Sequence, residues 1–176
     1  MTIVERTLSN IPEEARELFL SQIHGDRAVF IIGAGRSGLV GKFFGMRLMH
    51  MGYEVYITGE TNTPAIRPGD LLIAISASGN TKSVTDAVDK ARSIGSDVIA
   101  ITANPRGKLF NETSHALLLD SRRANRETKP HHKHRHIPMG TAFELSSLLF
   151  LEELITTLML HHGIDETQMK ARHANL

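Results

Sequence analysis

The sequence contains no cysteine, and its 20 basic residues nearly cancel its 19 acidic ones. Without cysteine, the chain has no disulfide framework, no thiolate catalysis, no iron–sulfur cluster and no cysteine-ligated zinc site. The net charge of +1 lacks the basic excess that is typical of nucleic-acid binding. No apolar run reaches the length of about 18 residues that a membrane span requires, and no apolar signal run follows Met1. We therefore expect a soluble, cytoplasmic protein with neither a nucleic-acid partner nor a membrane partner.

The remaining composition is that of an ordinary globular protein. Hydrophobic residues make up 41% and charged residues 22% of the 176 residues, which argues against global disorder. This length fits one domain with a sizeable core. We expect a single domain over residues 1–176, with a flanking N-terminal helix and a C-terminal tail.

Apolar periodicity predicts alternating strands and helices. Strands are predicted at 28–32, 53–57, 71–75, 98–101 and 116–119, and helices at 13–24, 37–51, 82–94, 140–162 and near 165–172. Strands that are almost continuously apolar and alternate with helices are typical of parallel sheets buried on both faces. The sequence therefore predicts an α/β fold, a three-layer α/β/α sandwich around a five-stranded parallel sheet. Ligands of such sheets bind at the carboxyl ends of the strands.

The first loop of interest is the glycine-rich run GAGRSG at residues 33–38. It follows a predicted strand and opens a helix, so its free N–H groups offer an anion site. The run also matches G-x-G-x-x-G, the dinucleotide fingerprint, for which Glu60 is a candidate ribose ligand. A simple glycine-rich turn is the alternative interpretation.

The second loop, SASGNT at residues 76–81, holds three hydroxyls in six residues. Together with the N–H groups of a helix start, these hydroxyls can bind a compact dianion such as a phosphate monoester. The alternative is helix capping, which Ser and Thr favour but which needs only one hydroxyl. The sequence has no G-x-x-x-x-G-K-[ST] nucleotide loop.

The two loops, each placed between a strand and a helix, resemble those of the sugar isomerase (SIS) domain family. Four further runs, GKFFGMRLMHMG (41–52), GETNTPAI (59–66), IPMGTAFE (137–144) and RHANL (172–176), are similar to the 6-phospho-3-hexuloisomerase branch of that family. The resemblance implies a flavodoxin-like fold and a homotetramer or homodimer. It also implies isomerisation of arabino-3-hexulose 6-phosphate to fructose 6-phosphate in the ribulose monophosphate pathway of formaldehyde assimilation, beside a hexulose-phosphate synthase.

The same resemblance assigns roles to individual residues. Glu144 would be the catalytic base, and His173 would be a second catalytic group that reaches the site of a neighbouring subunit. The substrate-binding residues would be Arg36, Ser37, Ser76, Ala77, Ser78, Gly79, Asn80, Thr81 and, by a loose match, Arg123. Proton abstraction at C2 by a carboxylate requires no metal and no redox cofactor, so we expect no cofactor. The alternatives are a helix-dipole role for Glu144 and a solvated His173.

Residues 122–136 carry six basic residues, one acid and four histidines. Clustered imidazoles can bind metal ions, but the surrounding positive charge opposes cation binding. We expect instead a loop beside the active site, whose charge attracts an anionic sugar phosphate.

Three other functions stay open: a sugar-phosphate-sensing module without catalysis, another SIS isomerase such as a phosphoheptose isomerase, and a dinucleotide oxidoreductase. The Ile137 to Glu144 run and the C-terminal run argue against a phosphoheptose isomerase. The hydroxyl-rich loop argues against a dinucleotide oxidoreductase. The apolar helix at 140–162 is either a central core helix or part of a subunit interface.

Overall fold

The computed structural model describes residues 2–121 and 138–175. Over these residues, the five predicted strands and the five predicted helices are all present, together with two further short helices. The elements are α1 (Ile3–Ser9), α2 (Glu13–Ser21), β1 (Val29–Gly33), α3 (Arg36–Met51), β2 (Val55–Ile57), β3 (Leu71–Ile75), α4 (Lys82–Ile94), β4 (Asp97–Thr102), α5 (Lys108–Glu112), β5 (His115–Leu118), α6 (Thr141–His162) and α7 (Glu166–Lys170). None of the helices within the described residues is long and apolar enough to cross a membrane.

The five strands form one parallel sheet in the order β2-β1-β3-β4-β5. This confirms the predicted five-stranded parallel sheet. The chain starts in the middle of the sheet, adds β2 on one side and then crosses to the other side with β3. The strand order therefore reverses between β1 and β3, which is where ligands of doubly wound sheets bind.

The sheet is buried on both faces because its strands are apolar at successive positions. Val29 and Ile31 of β1 pack in one core with α1 to α3, α6 and α7, whereas Phe30 and Ile32 pack in the other with α4 and α5. This alternation is the period of two expected of a strand. The three-layer prediction is confirmed, with helices distributed unequally between the layers.

Two short helices, α1 and α5, were not predicted from periodicity. Helix α1 buries only Ile3 and Thr7, and α5 buries only Leu109, so neither produces an amphipathic pattern. Helix α1 does carry a capping box, in which the Thr2 hydroxyl accepts from the Glu5 N–H and the Glu5 carboxylate accepts from the Thr2 N–H. A capping box is a helix-start signal, and its residues, Thr2 and Glu5, can be identified from the sequence alone.

Helices α3 and α6 lie side by side and run in the same direction. Three contacts in register join them: Arg36 with Glu144, Arg47 with Glu152, and Tyr53 just beyond α3 with His162. The Arg47 Nε to Glu152 Oε1 distance is 3.4 Å, so these two residues form an ion pair. The parallel arrangement brings the N-termini of both helices to the carboxyl edge of the sheet.

Candidate active site

A cleft of about 570 Å³ opens at the carboxyl ends of β1, β3, β4 and β5. Its walls come from the loop after β1, the loop after β3 and the first turn of α6. This volume lies within the usual range for small-molecule sites, about 300–1,000 Å³. The cleft therefore occupies the position that the topology of the sheet predicts for a ligand.

The three hydroxyls of the loop after β3 converge on one another. The Ser76 Oγ to Thr81 Oγ1 distance is 2.9 Å, Ser78 Oγ to Thr81 Oγ1 is 3.3 Å, and Ser76 Oγ to Ser78 Oγ is 3.4 Å. Thr81 is the N-cap residue of α4, yet its side chain makes no capping hydrogen bond. The capping interpretation therefore does not account for Thr81. We call these three side chains the hydroxyl cradle.

The backbone of the hydroxyl cradle is held by the loop after β4. The Asn104 amide donates to the Ser78 carbonyl at 2.8 Å, and Asn80 Oδ1 accepts from the Lys108 N–H at 2.9 Å. Gly79 has a φ of +66°, and a Cβ there would lie 3.0 Å from Thr102 Oγ1. Among the six loop residues predicted to bind substrate, Ser76, Ala77, Ser78 and Thr81 line the cleft, whereas the Asn80 side chain supports the loop from behind.

Glu144 lies in the first turn of α6, and its side chain is 11% exposed. Gly140 precedes the helix with a φ of +86°, and a Cβ there would lie only 2.8 Å from Glu144 Oε1. The carboxylate therefore packs directly against the Cα of Gly140. Glu144 lines the same cleft as the hydroxyl cradle, so the structure brings these predicted site groups together.

Arg36 and Ser37 begin α3 and also line the cleft. The Arg36 Nε donates to Glu144 Oε2, although the two residues are 108 positions apart in the sequence. The Arg36 side chain is 62% exposed, so its guanidinium contacts both the buried carboxylate and the solvent. Ser37 is buried.

His173 does not reach this cleft within its own chain. Its ring stacks on that of His50 in the last turn of α3, with ring centroids 5.1 Å apart. Arg36 begins the same helix, so His173 lies about 20 Å away along it, at a rise of 1.5 Å per residue. His173 therefore lies outside the cleft of its own chain.

Two predictions fall on residues that the structure leaves undescribed. Arg123 and the histidines of 131–136 lie outside the described residues. Within residues 2–121 and 138–175, no group of three or more His, Asp or Glu side chains is arranged to hold a metal ion. Glu60, the candidate ribose ligand, pairs with Lys42 at the rim of a separate cavity behind the glycine-rich loop.

The cleft also includes apolar residues that are not among the predicted site residues. Ile3, Met139 and Phe143 line it, and Ile3 comes from α1 at the far end of the sequence. The capping box at Thr2 was the available signal that a helix begins there, but no local signal places that helix over the cleft. These side chains make one part of the cleft wall apolar.

The fold and the cleft define a doubly wound, flavodoxin-like α/β domain with a ligand site at its switch in strand order. The family model described as the SIS domain matches residues 22–129. The chain belongs to the SIS domain family.

Curated relatives extend the similarity over most of the chain. The 3-hexulose-6-phosphate isomerase of Methylomonas aminofaciens is 41% identical over 169 residues, which are 96% of this chain and 91% of that protein. The 3-hexulose-6-phosphate isomerase of Bacillus subtilis is 39% identical over 165 residues, which are 93% of this chain and 87% of that protein.

A solved structure agrees with these relatives. The crystal structure of a hypothetical protein from Methanococcus jannaschii superposes with a TM-score of 0.82 at 36% identity and covers 99% of this chain and 93% of its own. A molecular function of 3-hexulose-6-phosphate isomerase has been inferred for that protein.

Proposed function

We propose that the protein is a sugar-phosphate isomerase that converts arabino-3-hexulose 6-phosphate to fructose 6-phosphate. The observation that carries the proposal is the presence of the hydroxyl cradle and the Glu144 carboxylate in one cleft. Relatives about 40% identical over most of the chain, named as isomerases of this substrate, support it.

The substrate phosphate binds at the hydroxyl cradle. Ser76, Ser78 and Thr81 supply three O–H donors, and the N-terminus of α4 supplies backbone N–H groups and a favourable dipole for a dianion. A hexulose 6-phosphate then extends from the cradle along the cleft, with its carbonyl carbons away from the phosphate. Arg36 and Ser37 contact the sugar there.

Glu144 acts as the base. It removes the proton from C2 of the 3-ketose, which gives a cis-enediolate, and returns a proton to C3 to give the 2-ketose. The carboxylate is nearly buried and held on Gly140, so it is positioned before the substrate arrives. The apolar part of the wall, which includes Ile3 and Phe143, limits access of water to the enediolate.

His173 is proposed as the group that moves the proton between the two substrate oxygens, in the cleft of a neighbouring copy. Imidazole is suited to this transfer because it titrates near neutral pH. The test is His173→Ala with His161→Ala as control, since both are exposed histidines. We expect loss of turnover only in the first, and equal turnover in both variants would remove His173 from the mechanism.

The chain is proposed to act as a homo-oligomer, a tetramer or a dimer. Most apolar residues of α6 are buried in the core, but Leu145, Leu149 and Leu160 remain exposed, as do four apolar residues of α3: Leu39, Phe43, Met46 and Met49. Because α3 and α6 are neighbours, these side chains form one apolar face, which we call the α3–α6 face. An apolar patch on adjacent helices is typical of a protein interface.

A cytoplasmic location and a functional link to a hexulose-phosphate synthase remain predictions.

Two alternatives make different predictions for the same assay. A sensing module binds sugar phosphates without turnover, and a phosphoheptose isomerase turns over a seven-carbon substrate instead. A base held in the cleft at Glu144 favours catalysis over sensing.

The decisive experiment is a coupled assay. Ribulose 5-phosphate, formaldehyde and a hexulose-phosphate synthase supply the 3-ketose, and formation of fructose 6-phosphate is followed with and without EDTA. We expect equal rates in both conditions. Absence of product rejects the function, and loss of product that follows EDTA treatment of this protein, with the synthase left untreated, assigns a metal to the isomerisation, with the histidines at 131–136 as candidate ligands.

A further inference from the structure

Within residues 2–121 and 138–175, the Arg36 guanidinium is engaged on one side only. Its Nε donates to Glu144 Oε2, and its two terminal nitrogens make no hydrogen bond to any of these residues. Arg36 lines the cleft, so the unused N–H groups are available to a bound ligand. A guanidinium carries five donors in a fixed plane and can therefore bind two anionic groups at once.

We propose that Arg36 is a shared counter-ion, which pairs with the Glu144 carboxylate before proton transfer and with the substrate oxyanion after it. The inference rests on the isomerase function proposed above and deepens it by assigning the group that stabilises the intermediate. Arg36 thereby acts as a catalytic residue towards the enediolate and as a positioning residue towards Glu144.

The charge balance of the reaction explains why one cation suits both partners. When Glu144 takes the C2 proton, the C–H electron pair forms the C2=C3 double bond and the carbonyl electron pair moves to O3. Glu144 becomes neutral as O3 becomes negative, so one negative charge moves from the carboxylate to the substrate. A cation beside both positions stabilises that charge throughout the step and needs little reorganisation.

The second half of the reaction reverses the movement. The enediolate takes the proton from Glu144 at C3, the O2–H proton passes to O3, and C2=O forms. The negative charge returns to Glu144, where Arg36 Nε already donates. No electron leaves the substrate, so the sequence of steps needs no oxidant or reductant.

Two observations argue that Arg36 neither binds the phosphate nor serves only to hold α3 against α6. The phosphate already has the hydroxyl cradle and the N-terminus of α4, and Arg36 is hydrogen-bonded to the base rather than to the cradle. A purely structural ion pair between the same helices exists at Arg47 and Glu152, outside the cleft. Arg36 differs from Arg47 because it lines the cleft.

The test compares Arg36→Ala and Arg36→Lys with Arg47→Ala. Alanine at the first position of α3 is compatible with the helix, so the variants are expected to fold. Two rates are measured: isomerisation, and exchange of the C3 proton of fructose 6-phosphate with D₂O followed by NMR. We expect Arg36→Ala to lower kcat and the exchange rate by about 100-fold or more, the effect typical of losing one oxyanion donor, with KM changed much less.

Chemical rescue separates a catalytic cation from a structural one. Methylguanidinium in solution is expected to restore part of the activity of Arg36→Ala and to leave the activity of Arg47→Ala unchanged. Without any additive, Arg36→Lys is expected to retain an intermediate rate. An increase in KM with unchanged kcat would make Arg36 a ligand for the ground state only. A loss of kcat without rescue, together with a lower Tm, would make the pair structural, and either result overturns the inference.

The inference and the proposed function fail in different ways. If the unmodified enzyme is active and Arg36→Ala leaves kcat unchanged, only the role of Arg36 is rejected. If the unmodified protein neither isomerises the substrate nor exchanges the C3 proton, the proposed function is rejected and the role of Arg36 with it.

Discussion

The Cα of Gly140 lies against the carboxylate of Glu144, with a hypothetical Cβ only 2.8 Å from Oε1. Gly140 also has a φ of +86°, which favours glycine, and a Cβ at this position would push the Glu144 carboxylate out of place. The residue before α6 thus fixes the position of the proposed base, one turn into the helix.

Gly140→Ala is therefore expected to displace the carboxylate and lower kcat by about 100-fold, as a shift of about 1 Å at a catalytic group does. Gly163→Ala is the matched control, because Gly163 ends the same helix at a φ of +63° with open space around its Cα. Both variants should lose about 1–2 kcal/mol of unfolding free energy from the left-handed conformation. Equal turnover in the two variants would contradict the positioning role of Gly140.

Glu144→Gln is expected to preserve the fold and sugar-phosphate binding but to lower turnover by about 100- to 10,000-fold, the usual contribution of a general base. Glutamine has nearly the same shape and cannot accept the C2 proton. Glu153→Gln is the control, since Glu153 is an exposed residue of α6 that pairs with Arg16. Turnover is measured by the coupled assay and binding by calorimetry, and near-normal turnover in Glu144→Gln would reject Glu144 as the base.

Thr81→Ala is expected to raise the KM for the sugar phosphate by about tenfold or more, because a hydrogen bond to a charged group contributes about 1.5–3 kcal/mol. Its unfolding free energy should fall by no more than about 0.5–1.5 kcal/mol, because the hydroxyl makes no capping bond and loses only its hydrogen bonds to Ser76 and Ser78. Ser93→Ala, on an exposed part of α4, controls for the loss of a helical hydroxyl. A variant that loses stability with unchanged KM would restore the capping interpretation.

Leu149→Glu is expected to dissociate the oligomer, because it places a charge in the α3–α6 face. Leu18→Glu is the control, since Leu18 is a similarly exposed leucine on α2, away from that face. Light scattering after gel filtration gives the mass of each variant. A wild-type protein with the mass of one chain would reject the oligomer, and an unchanged mass for Leu149→Glu would place the interface elsewhere.

Stability is expected to fall in mild acid because of His50. Burial, followed by the positive charges of His173 and Arg47, lowers the pKa of His50 below its ordinary value of 6.5. Below pH 6.5 the unfolded chain binds a proton at this position that the folded chain excludes, so the free energy of unfolding decreases as the pH falls from 6.5 towards the lowered pKa.

The measurement is urea unfolding at pH 7.5 and at lower pH values, on the wild type, His50→Phe and His161→Gln. Phenylalanine can keep the stacking on His173 but cannot be protonated, so His50→Phe should show a weaker dependence on pH. His161 is exposed, and its variant should keep the wild-type dependence. An unchanged slope in His50→Phe would assign the acid sensitivity to other groups.

The predicted sheet agrees with the structure because its signals are local. Each apolar run is short, is bounded by glycine or polar residues and alternates with a helix, which together specify buried parallel strands. Helices α1 and α5 escaped prediction because each buries only one or two side chains. The position of α1 depends on packing against α6, which is distant in the sequence, and α5 is itself too short to give a pattern.

The cysteine-free, nearly neutral sequence by itself determined that thiol chemistry is absent, where the parallel strands lie and which two loops are candidates for the site, whereas Glu144 became a candidate through the resemblance to the SIS family. It did so because apolar periodicity, helix-start signals and hydroxyl-rich motifs act over a few neighbouring residues. Only the tertiary structure decided that Arg36 pairs with Glu144, that three hydroxyls meet in one cradle, and that Ile3 lines the cleft. These relationships join residues more than 100 positions apart, and the packing of α1, α3 and α6 at one edge of the sheet brings them together.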